Sequence, residues 1–391
     1  MQKVDISKFK GKKTALVFSG GVVKAAAWHL GVSLALDEFG FCLNSNGKKS
    51  EDGLDISTYV GSSAGALISL YFASGFRPID IIAATIENSN PTLKPITYKD
   101  MLSLTNPMKK PPKSTTYDPF DGLPFYIKAL LTPFLNISGL FSTHGLHRYI
   151  QKNVIHSDDF SDYSADLFVV ATQLDHSRKV IFSKFNYPNP SHDPTAVYYT
   201  GISICDAVAA SMSVPPFYAP YPVKNSLTKQ IDYYIDGEIR ETLSTHVAID
   251  NGCEIIISSW THTPYHYHDE IGSLVNYGIP AICIQAIYLL IQKKIVDHRS
   301  RRLNSKDILE TVSDYMKKDK FTESQRKKIT SILEQKLNHQ PNLHLIDIYP
   351  SHENYNLFFK NSFSLNADKM AEIIKMGYKR TYEIFRQKDL F

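Results

Sequence analysis

Cysteine is scarce in this chain. The four present, Cys42, Cys205, Cys253 and Cys283 among 391 residues, lie far apart with no C-x-x-C pair. That spacing excludes a disulfide framework and a cysteine-rich zinc cluster, and it predicts a reducing, cytoplasmic setting. Charge of one sign is lacking too: 43 basic residues face 39 acidic ones, a net charge of +4. A nucleic-acid binder held by a basic face is therefore not expected, whereas mild attraction to an anionic membrane surface is left open. Residues Met1 to Lys13 contain no apolar run of the kind a secretory peptide needs, so no signal peptide is expected. The longest apolar run, Ile279 to Ile291, is broken by Gln285. As a helix it would reach only ~20 Å against a hydrocarbon core of ~30 Å, and no transmembrane helix is expected from it.

What is present is an ordinary globular composition, 43% apolar and 21% charged, which excludes a disordered or collagen-like polymer. At ~150 residues per domain the length predicts two or three modules. The apolar run Thr14 to Phe18 stops at Ser19-Gly20-Gly21 before a helical stretch, Lys24 to Phe39. A second strand, Leu54 to Val60, runs into Gly61-Ser62-Ser63-Ala64-Gly65 and then a buried-type helix, Ala66 to Ser74. Later apolar runs at Leu167–Ala171, Val180–Ser183, Ile231–Ile235 and Glu254–Ser259 alternate with helical stretches such as Ile204–Ser211. This alternation predicts an α/β body with one mostly parallel sheet covered on both faces, a three-layer sandwich over residues 12–261 that follows a short tail, 1–11. Residues 90–133 are rich in proline, lysine and aromatics and predict an irregular, lid-like insertion. Residues 262–391 predict a mainly helical C-terminal appendage with one strand-like stretch, Leu343 to Tyr349.

Three features carry chemistry. Gly61-Ser62-Ser63-Ala64-Gly65 fits G-x-S-x-G between a strand and a helix, the setting in which a sharp turn lifts one hydroxyl, here that of Ser63, out of the sheet. Gly61 and Gly65 keep that elbow uncrowded, and the helix dipole behind it favours a developing alkoxide. Ser19-Gly20-Gly21-Val22 opens the first helix, where clustered main-chain N–H groups suit an oxyanion; a glycine turn that merely ends a strand is the plainer alternative. A dinucleotide site is excluded, because Val22 stands where G-x-G-x-x-G needs glycine. Asp236-Gly237 closes an apolar strand, and such a pair can be a simple turn or a carboxylate turned toward the top of the sheet.

In this order the three features resemble the patatin-like phospholipase family. The resemblance extends through Leu16 to Gly21 with Lys24 and His29-Leu-Gly-Val32, Val60 to Ala66, Ala171-Thr172 with Asp175, and Ala207 to Ser211 with Val214-Pro215. It implies a patatin-like fold and a serine-aspartate dyad: Ser63 as nucleophile, Asp236 as base, and the N–H groups of Gly20, Gly21 and Val22 as the oxyanion hole. It further implies a lipid ester substrate met at a transient membrane surface, and it calls for no metal or other cofactor. A protein partner is not indicated. Val22 and Ala25 replace glycines of the family pattern, and are expected to avoid positive φ; Glu238 follows Asp-Gly where a small residue is commoner. A catalytically weak lipid-binding protein on the same fold is the alternative.

Other candidates are weaker. His246 follows Asp236 as a conventional hydrolase base would, but is expected on a helix away from the chemistry. His29 is expected in the core. His262, His266 and His268 are expected to be surface or packing residues rather than metal ligands. Lys109, Lys110 and Lys113, with Phe120, Phe125, Tyr126 and Phe134, suit either a membrane-facing lid or a solvated loop. Ile279–Ile291, followed by Lys293 and Lys294, is expected to be a buried or partner-facing core helix rather than an interfacial one.

Overall fold

The computed structural model describes residues 7–43, 54–105, 120–131, 137–187, 195–225 and 228–387. Its strands are β1 (Thr14–Phe18), β2 (Ile56–Ser62), β3 (Ser103–Leu104), β4 (Phe141–Ser142), β5 (Asp166–Gln173), β6 (Arg178–Phe182), β7 (Ala196–Tyr199), β8 (Tyr221–Lys224), β9 (Ile231–Asp236), β10 (Ile255–Ser259) and β11 (His344–Ile348). One sheet takes the order β11-β10-β1-β2-β5-β6-β7, with β9 added to β5 and β8 to β9. The pairs β11/β10, β10/β1, β1/β2, β2/β5 and β6/β7 are parallel, and β5/β6, β5/β9 and β8/β9 antiparallel. The mostly parallel α/β sheet read from the sequence is present.

Alternation along β1 explains why its whole run is apolar. Leu16 and Phe18 point into one hydrophobic layer, and Ala15 and Val17 into the other. The first layer is covered by α1 (Val22–Phe39), α2 (Ala64–Ala73) and the helix Ile204–Ser211; Trp28, Leu36, Leu70 and Val208 fill it. Val247, Ala248, Ile291 and Ile295 cover the second face.

One register places the site. The β2/β5 ladder ends at Ser62 opposite Val170, and the β9/β5 ladder ends at Asp236 opposite Ala171. β2 runs parallel to β5 and β9 antiparallel, so β9 enters the lane that β2 vacates. Their ends meet head to head on adjacent residues of β5.

Three expectations need amendment. The C-terminal region is mainly helical, led by Gly278–Lys318, but it also returns to the body. β11 extends the sheet beyond β10, and the last helix, Ala367–Phe385, sends Met370, Ile373, Ile384 and Phe385 into the core beside α1. The Ile279–Ile291 stretch is exposed rather than buried: Ile279 is 77% and Leu290 66% exposed, and only Tyr288 and Ile291 within it are buried. Its apolar character also extends further than the run read from sequence, since the helical segment Leu274–Lys318 contains an 18-residue window of mean hydropathy 1.8, long and apolar enough to cross a membrane. Finally, the 90–133 insertion is not irregular throughout, for it includes β3, paired with β4, and a helix, Phe125–Leu131. Phe125 is 86% exposed and Tyr126 is also exposed, whereas Lys109, Lys110, Lys113 and Phe134 lie outside the described residues.

Candidate active site

Ser63 occupies the turn between β2 and α2 with φ +54° and ψ −125°, a conformation that a non-glycine residue adopts only under constraint. The constraint comes from both sides. Ser63 N–H donates to Ser211 Oγ at 2.8 Å, and Ser211 Oγ–H donates to the Val170 carbonyl at 2.6 Å, tying the elbow to β5 through the Ile204–Ser211 helix. The turn also brings α2 against β1: a methyl group at Gly65 would lie 2.4 Å from the Phe18 carbonyl oxygen, so no side chain fits there. α2 begins at Ala64 and directs its N-terminus at Ser63.

Asp236 is 2% exposed; its carboxylate accepts from the Glu238 N–H at 2.9 Å and lies beside the Ser63 hydroxyl, which favours its charged form. Its own N–H donates to the Ser213 carbonyl at 3.0 Å, and its carbonyl accepts from Thr172 Oγ1 at 3.1 Å. Burial raises its pKa to about 6, against the Ser63 hydroxyl and the Glu238 N–H, which favour the charged form. A buried hydroxyl beside a carboxylate that ionises near neutrality is an arrangement that can serve as nucleophile and base.

The glycine loop lies beside this pair. Gly20 is so close that an added methyl group would lie 2.7 Å from Ser63 Cβ and 2.8 Å from Glu238 Cγ. Its N–H does not face open space: it donates to Glu238 Oε1 at 2.8 Å. Val22 departs from expectation, for it stands at φ +57°, whereas Ala25 is helical. The chain must turn sharply between β1 and α1, and the residue there takes the left-handed region even with a β-branched side chain.

A family model described as patatin-like phospholipase matches residues 16–249. The chain belongs to the patatin-like phospholipase family. That makes it a member of a family of lipid acyl hydrolases, and its Ser63, Asp236 and Gly20 fall inside the matched segment. No curated protein matches the chain.

The histidines fall elsewhere. In this patatin-like chain His246 sits on the Thr245–Asp250 helix with Nδ1 3.6 Å from Glu241 Oε1, in a buried cluster where Lys179 also pairs with Glu241. Those partners hold the Glu241 carboxyl far below the usual range in spite of its burial. His29 is buried with Nε2 2.9 Å from the Ser19 carbonyl and Nδ1 2.9 Å from Ser259 Oγ, and burial lowers its pKa to about 4. His268 stacks on Tyr355. His262 is a packing residue, buried behind the glycine turn, its Nε2 3.3 Å from where a Gly21 side chain would begin, with its pKa lowered to about 3 by burial and by Lys24. Sequence reasoning gave no role to Ser211 or Glu238, although Glu238 was already conspicuous after Asp-Gly.

Proposed function

We propose that the protein hydrolyses lipid acyl esters through an acyl-enzyme, with Ser63 as nucleophile and Asp236 as base. Supporting this above all is the placement of the Ser63 hydroxyl, on a constrained elbow, beside a buried carboxylate whose charged form it favours. In the first step the Ser63 proton passes to Asp236 while Oγ bonds the ester carbonyl carbon, giving a tetrahedral oxyanion. The N–H groups of Gly20, Gly21 and Val22 lie on the loop beside it and are the donors this reading assigns. Collapse breaks the ester C–O bond, and the leaving alkoxide takes the proton from Asp236. Water then attacks the acyl carbon, gives its proton to Asp236, and Ser63 leaves with that proton.

The reading includes a lipid surface as the place of work. The exposed Ile279, Ile282, Ile287 and Leu290, followed by Lys293 and Lys294, form an apolar face with a basic end suited to anionic interfaces. Exposed Leu104, Phe125 and Leu130 add further apolar surface.

The test is turnover of a soluble short-chain ester, together with mass-spectrometric analysis of a phospholipid and acylglycerol panel. Ser63→Ala should abolish both activities while circular dichroism stays unchanged; persistent hydrolysis would refute the assignment. A catalytically weak lipid-binding protein is the second reading, favoured by one observation: the Gly20 N–H is already engaged by Glu238. Vesicle binding by a folded protein whose Ser63 never reacts with a fluorophosphonate, even after Glu238 is replaced, would select it.

A further inference from the structure

Glu238 is the acidic group at this site that the mechanism does not use. Its Oε1 accepts from the Gly20 N–H at 2.8 Å, with its Cγ and the Ser63 Cβ flanking the same face of Gly20. A carbonyl oxygen turning into an oxyanion on Ser63 needs that N–H and that space. Ser63 is only 4% exposed and Asp236 2%, so the dyad is closed to an ester in this arrangement. The residue that follows Asp236-Gly237 therefore stands where the oxyanion would stand.

Resting on the hydrolase reading above, we infer that Glu238 is an internal plug, its carboxyl group occupying the oxyanion cradle and needing to leave Gly20 before Ser63 can turn over. The plug is held without being fully satisfied. Its Oε2 is buried and meets no hydrogen-bond partner among the described residues, although the neighbouring Thr242 hydroxyl favours its charged form. Burial and the charge of Asp236 push its pKa to about 8, so the carboxyl enters this place most readily as the neutral acid. A group with one oxygen paired and the other stranded in a dry site is easily exchanged for a better ligand. The turn that carries it is tied to the exposed apolar helix, because Lys294 Nζ donates to the Ile239 carbonyl at 2.9 Å.

Fluorophosphonate labelling tests the plug, since Ser63 Oγ bonds phosphorus, fluoride departs, the proton passes to Asp236, and the phosphoryl oxygen seeks the same cradle. Glu238→Ala should raise the second-order labelling rate at Ser63 by at least about tenfold, the full effect of one oxyanion donor being about 10²- to 10³-fold. Glu238→Asp, which withdraws the carboxyl group by one methylene and keeps it ionisable, should also accelerate labelling and serves if the alanine variant does not fold. Adding Ser63→Ala must abolish the signal in either background. Labelling of the wild type with no acceleration in the folded variants, or with slower labelling, overturns the plug and leaves the hydrolase reading standing. If neither the wild type nor any folded variant labels, both readings fall.

Discussion

At the scale of the residue, the proposed chemistry depends on a carboxylate buried beside the nucleophile. Burial pushes the Asp236 carboxyl up to about 6, outweighing the Ser63 hydroxyl and the Glu238 N–H. The base form exists only above that value, so kcat/KM on a soluble ester should fall about tenfold per pH unit below 6 and level off above it. A pH profile that stays flat down to pH 4.5 would refute Asp236 as base. Stability runs the opposite way. A raised carboxyl contributes most below its unfolded value of 3.8, and that contribution is lost as pH rises through about 6. Asp236→Asn should therefore be inactive yet more stable at pH 8 by about 1–3 kcal/mol, measured by urea unfolding. The Asp-Gly pair was visible in sequence, but nothing in sequence showed that the carboxylate would be dry.

At the scale of the element, the elbow is a joint between three segments rather than a property of one pentapeptide. Ser211, at the end of its helix, accepts from the Ser63 N–H and donates to Val170 on β5. Ser211→Ala strands the buried Ser63 N–H, at a cost of about 1–3 kcal/mol in stability. It should also lower kcat roughly 10- to 100-fold with little change in KM, because it loosens the nucleophile without touching substrate. A loss confined to KM would contradict that role. The strand and helix pattern around the elbow was legible, since β1, β2, β5, β6, β9 and β10 are apolar runs bounded by glycine and polar turns. The short β7 and β8 were not, because a few residues at a sheet edge carry little periodic signal. Which of buried and partner-facing applied to the Gly278–Lys318 helix was not legible for a related reason: an apolar run looks the same whether protein covers it or not. Changing Ile287 and Leu290 to Glu should weaken sedimentation with anionic vesicles at least about tenfold while leaving soluble-ester turnover unchanged.

At the scale of the whole molecule, the residues after 262 are part of the body's stability. The last helix stacks Phe385 near Phe9, Phe39 and Phe41, while Arg380 Nε donates to the Tyr349 carbonyl beyond β11. Truncation after residue 361 should uncover α1 and leave the remaining chain aggregated or unfolded, as judged by solubility and near-UV circular dichroism; a soluble, cooperatively folding product would contradict this. The sequence by itself determined the α/β pattern, the elbow at Ser63, the glycine loop and the order in which Asp236 follows, because local periodicity and turn chemistry act over a few residues. The tertiary structure alone decided that β9 ends against β2, that Asp236 is buried beside Ser63, that Glu238 caps Gly20, and that the C-terminal strand and helix complete the body. Those outcomes depend on contacts between residues up to hundreds of positions apart, and only the register of the folded sheet brings them together.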